Sequence, residues 1–121
     1  GMLCAENRVL SHPAATGSIS AAADQEDFVS MGMTTAIKSK RILRNAWYII
    51  AIELIAACQA MDHRRPLKGS PAAEAVYKLV REGVDFMEED RPTQYDINWT
   101  ADLVRSGKVL ETAEKVVGAL E

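Results

Sequence analysis

The sequence predicts an all-α fold, with one long helix packed against two or three shorter ones in an oligomeric helical bundle. Three observations carry that expectation. No segment shows the period-two alternation of a half-buried strand. From Asp24 to Asp62 the only helix-weakening residue is Gly32, which costs about 1 kcal/mol relative to alanine in a helix interior. Beyond that stretch, Ser70-Pro71, Pro92 and Gly107 cut the chain into short apolar-periodic pieces, because such residues start or stop helices.

The elements follow in order. Residues 3–10 read as a short helical piece. Ser11-His12-Pro13 stops it, since proline disfavours the α conformation in the residue before it. Residues 14–23 are Ala, Thr, Gly and Ser with a single Ile19, a loop composition with little to bury. The chain therefore divides into a short helix and loop over 1–23 and a helical domain over 24–121. Asp24 is a natural N-cap for that domain's long helix. Glu26 and Asp27 suit the positive end of its dipole.

Lys38, Lys40, Arg41 and Arg44 make the first half of the long helix basic, whereas Ala46 to Met61 is almost wholly apolar. Ile49, Ile50, Ile52, Leu54 and Ile55 cannot share one face at 3.6 residues per turn. A helix apolar all round is buried all round, and a chain this short has too few other helices to surround it. The expectation is a homo-oligomer, dimer or tetramer, joined through residues 42–61. A membrane span is the competing reading. The run is shorter than the roughly 20 residues required, and Glu53 would sit near its middle, so no membrane is expected.

His63-Arg64-Arg65-Pro66 ends the long helix with positive charge and a proline beyond. Lys68-Gly69 is a turn. Ser70 caps the next helix, with Pro71 in its first turn and Ala72, Val76, Leu79, Val80 and Gly83 on its apolar side. Asp96 is placed to cap a helix carrying Ile97, Ala101 and Val104. After Gly107, the residues Val109, Leu110, Ala113, Val116, Val117 and Leu120 mark a terminal amphipathic helix.

Bulk properties exclude some functions. The chain has 121 residues, which suits one domain burying roughly two-thirds of its unfolded surface. A net charge of -3 does not favour nucleic acid, which needs a clustered basic face. Cys4 and Cys58 form no disulfide pattern, and a reducing cytoplasm is expected. Gly1 reads as an appended residue ahead of Met2, and Glu6 and Arg8 interrupt any signal-peptide stretch.

Few residues carry chemistry. His12 and His63 share no metal-ligand spacing with each other or with the cysteines, and no metal is expected. Gly17, Gly32 and Gly69 are isolated, so no phosphate-binding loop is encoded. Ser30 and Ser39 have no obvious base. Glu88-Glu89-Asp90 reads as a solvated turn or a clasp on Arg91. Glu53, on an apolar helix, is expected to pair with an arginine or lysine from another helix. Glu26 is the best chemical candidate. The helix dipole would favour its charged form, whereas desolvation would raise its pKa towards that of a general base. On spacing alone a cap is favoured.

Two strings change that balance: Glu6-Asn7-Arg8-Val9-Leu10-Ser11-His12-Pro13-Ala14 and Gln25-Glu26-Asp27-Phe28-Val29-Ser30-Met31-Gly32. With Ala51-Ile52-Glu53-Leu54, Arg65-Pro66-Leu67, Glu88-Glu89-Asp90-Arg91-Pro92 and Leu103-Val104-Arg105-Ser106-Gly107, they resemble the C-terminal part of the histidine and phenylalanine ammonia-lyase family. The histidine branch is the closer one. The resemblance implies a helical homotetramer with a shared central bundle, eliminating ammonia from an aromatic amino acid. It implies that Glu26 acts in substrate binding or proton handling, with Gln25 and Phe28 beside it in the substrate site. It also implies an electrophilic methylidene-imidazolone formed from an Ala-Ser-Gly triplet.

The sequence departs from the family in two ways. It contains no Ala-Ser-Gly, so this chain supplies no such cofactor. Phe28 stands where histidine ammonia-lyases usually carry histidine, which leaves histidine, phenylalanine and tyrosine open as substrates. Two readings follow. The chain is a fragment that is catalytic only with an N-terminal lyase chain, or it is a non-catalytic helical assembly protein derived from the family.

Overall fold

The computed structural model describes residues 1–120, and these are helical with no extended strand. Five α-helices follow one another: α1 (Met2–Leu10), α2 (Gly32–His63), α3 (Pro71–Arg81), α4 (Gln94–Arg105) and α5 (Lys108–Val117). A 3-10 turn at Ala15–Gly17 lies between α1 and α2. The expected all-α class and the single long helix are both present.

The start of α2 differs from expectation. Asp24 is not its cap, and neither Glu26 nor Asp27 lies in its first turn, which contains no acidic residue. Ala22, Ala23 and Asp24 have φ of 52°, 55° and 66°, and Met31 has φ 52°. Such left-handed conformations cannot belong to a right-handed helix. Gly32 is therefore the first helical residue, and the interior-glycine penalty does not arise. At 32 residues, α2 also exceeds the roughly 20 needed to cross a bilayer, so length alone does not argue against a span.

The chain forms two compact units, 1–46 and 47 onward, with α2 running through both. In the first, α1 lies on the front half of α2 through a polar cluster. Arg41 Nη2 donates to Glu6 Oε1 at 2.7 Å. Asn45, only 3% exposed, donates through Nδ2 to Glu6 Oε2 and Asn7 Oδ1, each at 2.9 Å. The long reach of these pairs explains why sequence spacing did not reveal them.

In the second unit, Cys58 of α2 packs with Val80 and Val84, flanked by Ile55, Val76 and Tyr77. Burial pushes the Cys58 thiol up, with Arg81 opposing, so it behaves as a small apolar side chain. Ser70 caps α3 as expected, its hydroxyl accepting from Ala73 N at 3.3 Å. Helix α5 packs on α3 and α4. Helix α4 begins at Gln94, ahead of the expected cap Asp96. Asp96 is instead buried in the first turn, at 5% exposure, with Oδ2 2.8 Å from Arg91 Nη1. The contact is too poorly aligned to count as a hydrogen bond. The arginine charge and the helix N-terminus together compensate the buried carboxylate. Arg91 is thus held by Asp96 rather than by the exposed Glu88-Glu89-Asp90 run.

Glu53 has no ion-pair partner among the described residues of the chain, and it is exposed.

Candidate active-site loop

Gln25, Glu26, Asp27 and Phe28 lie together on an exposed hairpin-like loop ahead of α2. Its core is an antiparallel bridge between Ala21 and Glu26. Ala21 N donates to Glu26 O at 3.1 Å, and Glu26 N donates to Ala21 O at 3.2 Å. Ala22, Ala23, Asp24 and Gln25 form the tip, where Gln25 N donates to Ala22 O at 3.2 Å.

Left-handed φ at non-glycine residues costs roughly 1–2 kcal/mol each. Asp24 tolerates it best, because its short polar side chain bonds locally. Ser20 Oγ donates to Asp24 Oδ1 at 2.5 Å. Ala22 and Ala23 have no such compensation, so the tip depends on its legs being held. Ser18 and Val29 hold them. Ser18 Oγ donates to Val29 O at 3.1 Å, and Val29 N donates to Ser18 Oγ at 2.9 Å.

Among the described residues, no hydrogen bond engages the side chains of Gln25, Glu26 or Asp27. Phe28 is 65% exposed. The loop thus presents a carboxylate, an amide and an aromatic ring to whatever lies opposite. Of the histidines, His12 accepts through its backbone carbonyl from the Lys38 ammonium. His63 ends α2 with its ring edge-on to Phe86 at 5.4 Å. No group of three metal-binding side chains converges among the described residues.

A second polar constellation escaped sequence reasoning. At the end of α2, Asp62 accepts from Arg81 Nη2 at 2.5 Å and Nε at 3.1 Å, and from the Tyr77 hydroxyl. Arg81 Nη1 also donates to Val84 O at 2.9 Å and Asp85 O at 3.0 Å. Gln59 exchanges two hydrogen bonds with the backbone of Met87, at 2.8 Å and 3.2 Å. Arg65 stacks over the Tyr77 ring at 4.6 Å. Burial tends to raise the Asp62 carboxyl, but the bonds from Tyr77 and Arg81 and the charges of Arg81 and Arg65 hold it below its ordinary value. All five Arg81 donors are spent within the network, so it fastens α2 to α3 and to residues 84–87.

Comparison with known proteins supplies the context. The sequence profile of the family described as aromatic amino acid lyase matches residues 1–82. Histidine ammonia-lyase 1 of Fusobacterium nucleatum subsp. nucleatum is 46% identical over 120 residues, covering 98% of this chain and 23% of that protein. The crystal structure of histidine ammonia-lyase from Trypanosoma cruzi matches with a TM-score of 0.90 and 43% identity, covering 99% of this chain and 23% of the other. Tyrosine aminomutase from Streptomyces globisporus matches with a TM-score of 0.87 and 39% identity, covering 95% and 22%. The chain spans less than a quarter of the length of these relatives.

Proposed function

The chain belongs to the aromatic amino acid lyase family, and we propose that it contributes Glu26 and the assembly helices to a histidine-like ammonia-lyase. The observation that carries the reading is the free Glu26 carboxylate, held by a backbone bridge on a loop whose neighbouring side chains are also unengaged. Exposed in these residues, that carboxylate would lose water when the rest of a lyase covers the loop. Covered in that way, it is placed to exchange a proton with substrate. Gln25 offers an amide to the polar groups of an amino acid, and Phe28 offers an apolar wall to an aromatic side chain.

The family's methylidene-imidazolone group supplies an electrophile when present. These residues contain no Ala-Ser-Gly from which to form it. The exposed, unengaged Gln25 and Glu26 fit a role facing such a group held outside these residues. In this reading the chain alone is inactive.

Assembly would run through residues 42–61 of α2, where Leu43, Ile50 and Ile52 are 51%, 43% and 45% exposed. Leu43, Ile50 and Ala57 recur every seven residues, with Trp47, Leu54 and Met61 between them. That is the spacing of a helix–helix seam, and it favours a water-soluble bundle of copies over a membrane span.

The test is to mix the chain with a matching N-terminal lyase half and assay urocanate and cinnamate formation. Activity that disappears with Glu26→Gln supports the reading. A stable complex without activity supports the alternative, an assembly protein without catalysis.

A further inference from the structure

The loop that carries Glu26 contains a rung built from a side chain. The Ala21–Glu26 bridge sets an antiparallel register. Moving three residues outward on each leg brings Ser18 opposite Val29. There the Ser18 hydroxyl both donates to Val29 O and accepts from Val29 N, at 3.1 Å and 2.9 Å. A hydroxyl has one donor and two lone pairs, so this one serine side chain satisfies both the amide and the carbonyl of Val29. Between Thr16 and Ser30, only Ser18, Ala21 and Val29 are not fully exposed. The two rungs are therefore the sheltered points of an otherwise wet loop.

We infer that Ser18 is a positioning residue: its hydroxyl locks the base of the hairpin and so sets where Gln25, Glu26 and Phe28 are presented. The inference rests on the reading of Glu26 as the active-site carboxylate. Its physical basis is the tip, where Ala22, Ala23 and Asp24 are left-handed and only Asp24 gains a local side-chain bond. One isolated bridge specifies register weakly. With Ser18 in place the two legs are tied at a second point, and Glu26 has little freedom to slide or swing. Without the hydroxyl, the Val29 amide and carbonyl lose their partner, and the strained tip relaxes at the expense of the Ala21–Glu26 bridge.

The test has two arms on the full chain. In water-exchange NMR, Ser18→Ala should speed exchange of both the Val29 and Glu26 amides about tenfold, the equivalent of one typical hydrogen bond. Ser18→Thr should restore both, and the Val80 amide in α3 should not change. An unchanged Glu26 amide in Ser18→Ala overturns the inference. The second arm uses the chain assembled with an N-terminal lyase half. Ser18→Ala should lower kcat per assembled site about tenfold with a smaller change in KM, and Ser18→Thr should recover it. A residue with a merely structural role would reduce the amount of complex and leave kcat per site intact, and that result overturns the inference. If the wild-type mixture is inactive, the functional reading fails separately, and amide exchange alone decides whether Ser18 sets the position of Glu26.

Discussion

Asp62, in the last turn of α2, and Arg81, the last residue of α3, meet at 2.5 Å with side chains only 17% and 13% exposed. Nineteen positions of sequence separate them, so the pair is a tertiary fastening rather than a helix-surface contact. Its outer ring, formed by Tyr77, Gln59 and the carbonyls of Val84 and Asp85, leaves the guanidinium no spare donor.

Removing one partner should therefore hurt more than a surface ion pair would. Arg81→Ala strands the Asp62 carboxylate and frees two backbone carbonyls. We expect a loss of about 2–4 kcal/mol, read as a lower urea midpoint with an unchanged slope. A loss below about 0.5 kcal/mol, typical of exposed pairs, would show that the network is ornamental.

The same carboxylate should make stability depend on acid. Its folded pKa lies below its ordinary value of 3.8. The unfolded chain therefore takes up a proton first as pH falls. The stabilisation is complete above the unfolded pKa and is lost as pH drops through the folded one. Glu74, lowered by the Arg65 hydrogen bond and then the Gly69 amide, adds in the same direction. The difference in unfolding free energy between wild type and Asp62→Asn should be constant above pH about 5 and shrink below about 4. A difference that persists undiminished to pH about 2 contradicts the assignment.

Gly83 has a steric rather than conformational reason to be glycine. A Cβ there would lie 2.3 Å from Trp99 Cε2 and 2.5 Å from Nε1. Gly83→Ala should push the indole aside and cost about 1–3 kcal/mol, with a shift in tryptophan emission. Unchanged emission and stability would mean that the ring moves freely.

Ile50 should matter for assembly and not for folding of the single chain. It is 43% exposed in the middle of the proposed α2 seam. Ile50→Lys should weaken self-association by about 10- to 100-fold, the equivalent of roughly 1.5–3 kcal/mol for one large apolar side chain. Sedimentation at several concentrations reads this, and helical circular dichroism should not change. Equal association by both proteins would move the interface elsewhere.

Much of the fold was legible because its signals are local. Ser70 before Pro71 marked the start of α3, Gly107 separated α4 from α5, and the absence of alternation excluded strands. The Gln25–Gly32 string was equally readable as a family signature. Its shape was not, because nothing in the letters Ala22-Ala23-Asp24 announces three left-handed residues. The acidic run reads as a helix entrance only if the backbone ahead of Gly32 is assumed to be helical. Asp96 was misread for a related reason: Asp favours N-caps, and only the approach of Arg91 makes it tolerable inside the first turn.

The sequence by itself determined the helical class, the approximate helix order and the family, since hydrophobic period, caps and motif strings act over a few neighbouring residues. Tertiary structure alone decided where α2 begins, that Asp96 sits against Arg91, and that Asp62 belongs with Arg81. Those outcomes depend on which distant groups meet. A side-chain rung from Ser18 fixes the loop at Glu26, and an arginine on α3 compensates a carboxylate on α2. Energies of a few kcal/mol at such meetings outweigh the local preferences from which a sequence is read.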